Sequence, residues 1–239
     1  RFIMTFPNET LPKGRKQKTT ALYDRFVNQG AVMGDSFGLE NVLWFANNKE
    51  DAHEEPTIKR SRSHDYVSKE VINVRENVGL IEVANFSKHE FKGPDARKFL
   101  DHIMAGRLPK PGRISLSPML SYRGKLCGDL TVACLDENEF MVFGSGAAQE
   151  MHRRWFESHL DKFNLSYSNR SDEYHGLSIA GPNSRKVLEK IVRDDVSNEK
   201  FKFRDSRRMF VGGVPAIINR ISFTGELGYE IYVAPHYQL

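Results

Sequence analysis

Phe91-Lys-Gly-Pro-Asp-Ala-Arg-Lys-Phe-Leu100 and Ile179-Ala-Gly-Pro-Asn-Ser-Arg-Lys-Val-Leu188 are two copies of one pattern, and their reading decides the fold. In each copy a strand ends at Gly. Pro then takes the first helical turn, where its missing N–H is no loss, and an Arg/Lys-bearing amphipathic helix follows. Downstream of the first copy the pattern predicts strands around Arg113–Leu120 and Lys125–Leu135, continued at Phe140–Phe143. Downstream of the second it predicts strands around Phe210–Phe223 and Gly228–Val233. A strand–helix–strand–strand order used twice predicts an α+β domain of two similar halves, about 79–160 and 170–239.

Outward from the repeat, Leu22, Tyr23, Phe26 and Val27 share one face of a short helix that ends near Gly30. Asn47 to Arg62 is charged and polar, which predicts a surface loop. Val67, Val71, Val74 and Val78 return to helical spacing. The basic run Lys13-Gly-Arg-Lys-Gln-Lys18 reads as a solvated connector, with the domain proper at 19–239. The chain opens on Arg1 and closes on a strand, a Pro break and Leu239, and is expected to be a piece of a longer polypeptide.

The 239 residues carry 35 Lys+Arg against 31 Asp+Glu, a formal charge of +4. A surplus of four permits an acidic ligand and gives no reason to expect nucleic acid. With 16 Phe and 8 Tyr the chain has enough apolar material for a core, which excludes disorder. No stretch approaches the roughly 20 apolar residues of a membrane span, so no membrane partner is expected. Two cysteines are too few for a disulfide scaffold or a four-cysteine metal site, and a reducing compartment is the default.

Several residues are candidates for chemistry. Gly144-Ser-Gly-Ala-Ala-Gln149 partly matches a dinucleotide fingerprint, but Gln149 stands at the third glycine position and the flanks are not βαβ; it reads as a strand-to-helix turn. The helix after it points Met151, Trp155, Phe156 and Leu160 inward, with His152 and His159 as ordinary surface or boundary residues. Cys127 and Cys134 fall on opposite faces of one strand, cannot pair within it, and read as small buried hydrophobes. No metal site is expected. Asp129, in the apolar strand Leu126-Cys-Gly-Asp-Leu-Thr-Val132, is costly unless salt-bridged across the sheet or used for function, and both readings stay open. Glu230 alternates with Gly228 and Tyr232 on one face of Leu227–Val233. A carboxylate beside an aromatic and a glycine suits a flat heterocycle with paired N–H donors. Glu226 lies in the preceding turn and is expected to be exposed.

Phe223-Thr-Gly-Glu-Leu-Gly-Tyr-Glu-Ile231 resembles the signature of the folate-dependent aminomethyltransferases, the glycine-cleavage T-proteins and their relatives. The resemblance begins at Thr19-Thr-Ala-Leu-Tyr-Asp24 and Gly30–Gly38. It runs through Val78-Gly-Leu-Ile-Glu-Val83, both Gly-Pro units and Gly124-Lys-Leu-Cys-Gly-Asp-Leu130. Within that family the chain is most similar to the folate regions of dimethylglycine and sarcosine dehydrogenases. Phe6-Pro-Asn-Glu-Thr-Leu-Pro12, the long Asn41–Lys69 stretch and Val83-Ala-Asn-Phe-Ser-Lys88 favour them over T-proteins.

The resemblance implies a folate-binding fold whose C-terminal barrel is not among these residues, and a connector at 1–18 from an upstream FAD domain. It implies tetrahydrofolate as cofactor and, as partner, the iminium from a small N-methylated amine. The one-carbon unit would be captured as 5,10-methylenetetrahydrofolate. Asp129 matches the family's key aspartate near N5/N10 of folate, with Gly128 where T-proteins carry a second acid. Glu230 matches the glutamate that grips the pterin edge. Phe223 stands for a stacking Tyr, Leu116 for another ring-packing Tyr, and Ser145 for a pocket Asn. The implied compartment is the cytoplasm, or the mitochondrial matrix in a eukaryote. The competing readings are a glycine-cleavage T-protein acting on an aminomethyl-lipoyl carrier, and a non-catalytic interaction domain on the folate fold.

Overall fold

The computed structural model describes residues 4, 6 and 9–239. The Arg1 opening and part of the Phe6–Pro12 stretch lie outside the described residues. A helix α1 (Tyr23–Asn28) leads into a hairpin of β1 (Ala31–Ser36) and β2 (Leu39–Phe45), which sequence reading missed. Val32, Trp44 and Ala46 of this region pack against Tyr66 and Val67 of helix α2 (Ser63–Glu76). The basic run is exposed except at Arg15, and it is tied to the fold at two points. Arg15 pairs with the buried Glu40, and Lys18 bridges to Leu39 and pairs with Asp172.

Two five-stranded antiparallel sheets form the rest. The first half of the repeat runs β3 (Gly79–Glu82), β4 (Phe86–Lys92), α3 (Ala96–Ile103), β5 (Arg113–Leu120), β6 (Leu126–Asp136) and β7 (Glu139–Ser145). Helix α4 (Gln149–Glu157) follows the Gly144–Gln149 turn, as its sequence indicates. The second half runs β8 (Ser166–Asn169), β9 (His175–Ala180), α5 (Ser184–Leu188), β10 (Ser206–Val211), β11 (Val214–Asn219) and β12 (Gly228–Val233). Sheet orders are β5-β6-β7-β4-β8 and β10-β11-β12-β9-β3. The halves are therefore equivalent, and each lends its leading strand to the edge of the other's sheet.

The unit is thus strand–strand–helix–strand–strand–strand, longer than the sequence pattern predicted. The span Phe210–Phe223 is not one strand: Gly212 and Gly213, both with positive φ, turn β10 into β11, and residues 220–227 are irregular. The two copies of Gly-Pro do the same work. Gly93 (φ 137°) and Gly181 (φ 122°) hold conformations that L side chains avoid, and each lies against the segment entering the swapped strand. Asp95 Oδ2 accepts from Asn164 N at 2.8 Å just before β8. Asn183 Nδ2 donates to Asn77 Oδ1 at 2.8 Å just before β3. The repeat motif is the clasp of the strand exchange.

The outer core of the first sheet packs Phe91, Phe99, Leu100, Val132, Phe140 and Phe156 under α3 and α4. That of the second gathers Leu188, Phe201, Ile218, Tyr229 and Ile231 under α5. Fully burying side chains of this size contributes about 1.5–3 kcal/mol each. A third cluster lies between the sheets: Ile114, Ala133, Met141 and Phe143 from one, Ile217 and Tyr232 from the other. Backbone bonds from Ile114 N to Arg204 O (2.9 Å) and Ser206 N to Gly112 O (2.9 Å) fasten the two sheets beside β5 and β10. No helix among the described residues is long and apolar enough to cross a membrane.

Candidate functional site

Antiparallel partners share a face, so the registers fix what lies beside what. Leu116 pairs with Thr131, Thr131 with Phe143, and Phe143 with Lys88. These four residues cross β5, β6, β7 and β4 as one row on the face toward the second sheet. The neighbouring row carries Pro118 and Asp129, which are paired, and Ser145 and Phe86, also paired. Asp129, Leu116 and Ser145, all singled out from sequence, therefore occupy adjacent positions on one sheet face. All three side chains are exposed, Leu116 to 64%. The salt-bridge reading of Asp129 does not hold: no Lys or Arg among the described residues comes within ion-pair distance of it. Its position at the open end of the sheet removes the burial cost that sequence alone suggested.

The facing sheet brings Glu230. Phe143 stacks on Tyr232 with ring centroids 4.6 Å apart, and the Tyr232 hydroxyl donates to Glu230 Oε2 at 2.8 Å. Tyr232 lies across Gly176 of β9, where a Cβ would stand 2.6 Å from the ring. Glu230 pairs in register with Ser178 and with Asn219, whose buried Nδ2 has no partner among the described residues. Glu230 is 9% exposed; burial pushes its carboxyl above the usual range, opposed by the Tyr232 hydrogen bond and the charge of Lys88. A line of contact thus runs from the Asp129 face through Phe143 and Tyr232 to Glu230. Phe223 sits apart from regular structure in 220–227 and is 99% exposed. Glu226, expected exposed, is half-buried.

Lys88 is the residue that sequence reading missed. It has no exposed surface, and its Nζ donates to Ala84 O at 2.9 Å and Phe86 O at 2.7 Å. On its own face of β4 it alternates with Phe86 and Glu90, which give no sequence signal of its burial; the pairing with Phe143 and the facing sheet do. His152 also departs from expectation. It is buried, with Nε2 3.2 Å from Cys127 O, because Gly128 and Gly144 leave room for its ring. Met151, expected inward, is 53% exposed. Both cysteines are free, Cys134 buried and Cys127 half-buried. Among the described residues no group of three or more His, Cys, Asp or Glu stands ready for a metal.

Comparison with known proteins places this geometry. The family described as the GCVT N-terminal domain matches residues 22–239. Human mitochondrial dimethylglycine dehydrogenase is 34% identical over 234 residues, covering 96% of this chain and 27% of that protein. The aminomethyltransferase of Thermotoga sp. (strain RQ2) is 28% identical over 218 residues, covering 90% of this chain and 54% of that protein. The chain thus spans about a quarter of the length of the dehydrogenases it matches. The crystal structure of glycine cleavage system aminomethyltransferase T from Bartonella henselae superposes with a TM-score of 0.75 at 21% identity, over 93% of this chain and 55% of that one. Heterotetrameric sarcosine oxidase from Corynebacterium sp. U-96 gives 0.56 at 18% identity, over 76% of this chain and 89% of that one. These two likenesses are of fold. With the family match over residues 22–239, the chain belongs to the GCVT N-terminal domain family.

Proposed function

We propose that this chain is the tetrahydrofolate-binding, one-carbon transfer domain of a dimethylglycine or sarcosine dehydrogenase-like flavoenzyme. The observation that carries the reading is the line from Asp129 to Glu230: an exposed carboxylate with the exposed Leu116 beside it, a buried Phe143–Tyr232 stack, and a mostly buried carboxylate with one oxygen held by Tyr232. A reduced pterin needs those groups in that order. A carboxylate oxygen takes its N–H edge, flat apolar contact covers its ring, and an acid–base group stands at the reacting nitrogens. The residues present therefore fit the group.

Tetrahydrofolate, when bound, supplies the N5/N10 pair that takes the one-carbon unit of an amine-derived iminium, giving 5,10-methylenetetrahydrofolate. Glu230 accepts the pterin N–H donors through the oxygen that Tyr232 leaves open. Asp129, with no ion-pair partner among the described residues, would stabilise positive charge near the reacting carbon and take the proton released at nitrogen. Gly128 in place of a second acid leaves that task to one carboxylate. The exposed Leu116 and Phe223 supply apolar contact, Phe143 backs the Tyr232 ring from the core, and Ser145 gives a hydroxyl beside Asp129. In the same reading, residues 19–239 form the folate unit, 1–18 connect it to an upstream FAD domain, and the compartment is the mitochondrial matrix in a eukaryote or the cytoplasm otherwise.

The likeness to aminomethyltransferases supports a second reading, a T-protein acting on an aminomethyl-lipoyl carrier with the same residues. Calorimetric titration of tetrahydrofolate into the protein at its full natural length, wild type beside Glu230→Gln, tests both. Binding that weakens at least about tenfold in the variant supports the shared site, since a lost charge-assisted pair is worth roughly 1.5–3 kcal/mol. Absence of binding by wild type overturns it. Transfer from an N-methyl amine, against transfer from an aminomethyl-lipoyl peptide, separates the two.

A further inference from the structure

Lys88 presents a physical problem that the proposed reaction does not by itself explain. An ammonium with no exposed surface ordinarily sits against a carboxylate, because isolated burial of charge is costly. Here the Nζ is held by carbonyls instead: Ala84 O at 2.9 Å, Phe86 O at 2.7 Å and Ser171 O at 3.5 Å. It also stands 5.9 Å from the centre of the Tyr232 ring, on the side of the sheet that faces Glu230. The charged groups that act on it come from four elements: Glu230 from β12, Glu82 from β3, Asp172 from the turn after β8, and Lys18, which opposes, from the N-terminal stretch.

We propose that Lys88 is a positioning residue for the ligand of Glu230, a buried, carbonyl-caged ammonium whose field favours the ionised carboxylate while leaving one of its oxygens free. The proposal rests on the reading that Glu230 receives the pterin edge. The geometry gives the reason for the carbonyl cage. A lysine in direct contact with Glu230 would occupy the oxygens a ligand needs. Tethered by Ala84 and Phe86, with the Tyr232 ring beside it, Lys88 lends its field without competing for the acceptor. The Tyr232 hydroxyl takes Oε2, and the other oxygen remains for N–H donors. A neutral Glu230 would present a hydroxyl in place of a lone pair and lose the donor–acceptor match.

The test is a double-mutant cycle on tetrahydrofolate affinity, measured by calorimetry under argon at pH 6, where Lys88 carries its charge, in the protein at its full natural length. Lys88→Gln keeps donors for the carbonyls and removes the charge; Glu230→Gln removes the carboxylate. The expected result is a loss of about tenfold in Lys88→Gln and at least about tenfold in Glu230→Gln, with the double variant no weaker than Glu230→Gln alone. Wild-type-like binding by Lys88→Gln overturns the proposal, and so does a Lys88→Gln loss that persists in full when Glu230 is already Gln, which marks a merely structural lysine. Should Lys88→Gln fail to fold, Lys88→Met, which also removes the charge, carries the same cycle with Glu230→Gln, and the same two outcomes overturn the proposal. Glu230→Gln binding as tightly as wild type removes the reading beneath it instead, and that outcome is distinguishable from both.

Discussion

The Tyr232 hydroxyl and the Glu230 carboxylate, two residues apart on one face of β12, meet at 2.8 Å in the seam between the sheets. The contact is possible because Gly176 lets the tyrosine ring lie flat over β9 and Phe143 closes it from the other sheet. Burial and the adjacent carboxylate hold the phenol well above its ordinary range, so it is always the donor. Tyr232→Phe keeps the stack and deletes the donor. Urea denaturation is expected to show a loss of about 1–3 kcal/mol, the cost of leaving a buried acceptor without its partner.

Asp129 stands exposed at the open end of its sheet, so its removal should cost chemistry and little else. Asp129→Asn is expected to lower the single-turnover rate of one-carbon transfer by about 10²–10⁴-fold. Folate affinity should change by less than about threefold, and unfolding free energy by less than about 0.5 kcal/mol. Parallel rapid-quench and calorimetric measurements separate these effects.

Gly93 and Gly181 should be equally intolerant. An added Cβ would stand 2.7 Å from Leu165 Cα at the first and 2.5 Å from Val74 O and Asn77 O at the second, on backbones with φ of 137° and 122°. Gly93→Ala and Gly181→Ala are each expected to cost more than about 2 kcal/mol in urea denaturation. Gly225→Ala, with positive φ and open space around it, should cost less than either. Equal losses at all three positions would remove the special role of the clasp.

That clasp was legible in the sequence, and the strand exchange it fastens was not. Gly, Pro and the amphipathic helix are local signals, whereas the pairing of β3 with β9 and β8 with β4 joins segments far apart in sequence, and short edge strands carry little pattern. The candidate residues fared similarly. Period-2 alternation put Glu230 beside Tyr232 correctly. Asp129 seemed costly because an apolar strand does not reveal which of its ends opens to solvent. Lys88 escaped notice because burial of a lysine depends on the facing sheet, which its neighbours in sequence do not describe. The hairpin of β1 and β2 was missed for a simpler reason: Gly34 and the polar Asp35-Ser36 blur its alternation.

Lys88 also gives stability a pH signature. Its folded pKa, about 7, lies below the ordinary 10.5, so the unfolded chain holds the extra proton between those values. Stability from this group therefore rises with pH from about 7 to about 10.5 and is at its lowest below 7. The buried Glu82 and Glu230 act the other way at lower pH. Burial raises both, so their contribution is present at acid pH and lost as pH rises from about 4.5 through their folded values. Urea denaturation at pH 7 and pH 9 should show wild type gaining stability at the higher pH, and Lys88→Met losing most of that gain.

The central claim is that one bound pterin spans the line from Glu230 to Asp129, and a crystal structure of the full-length protein with tetrahydrofolate tests it most directly. The account predicts the 2-amino and N3–H edge within hydrogen-bond distance of Glu230, about 2.7–3.2 Å, with N5 and N10 turned toward Asp129. A pterin bound elsewhere, or one whose edge turns away from Glu230, would contradict it.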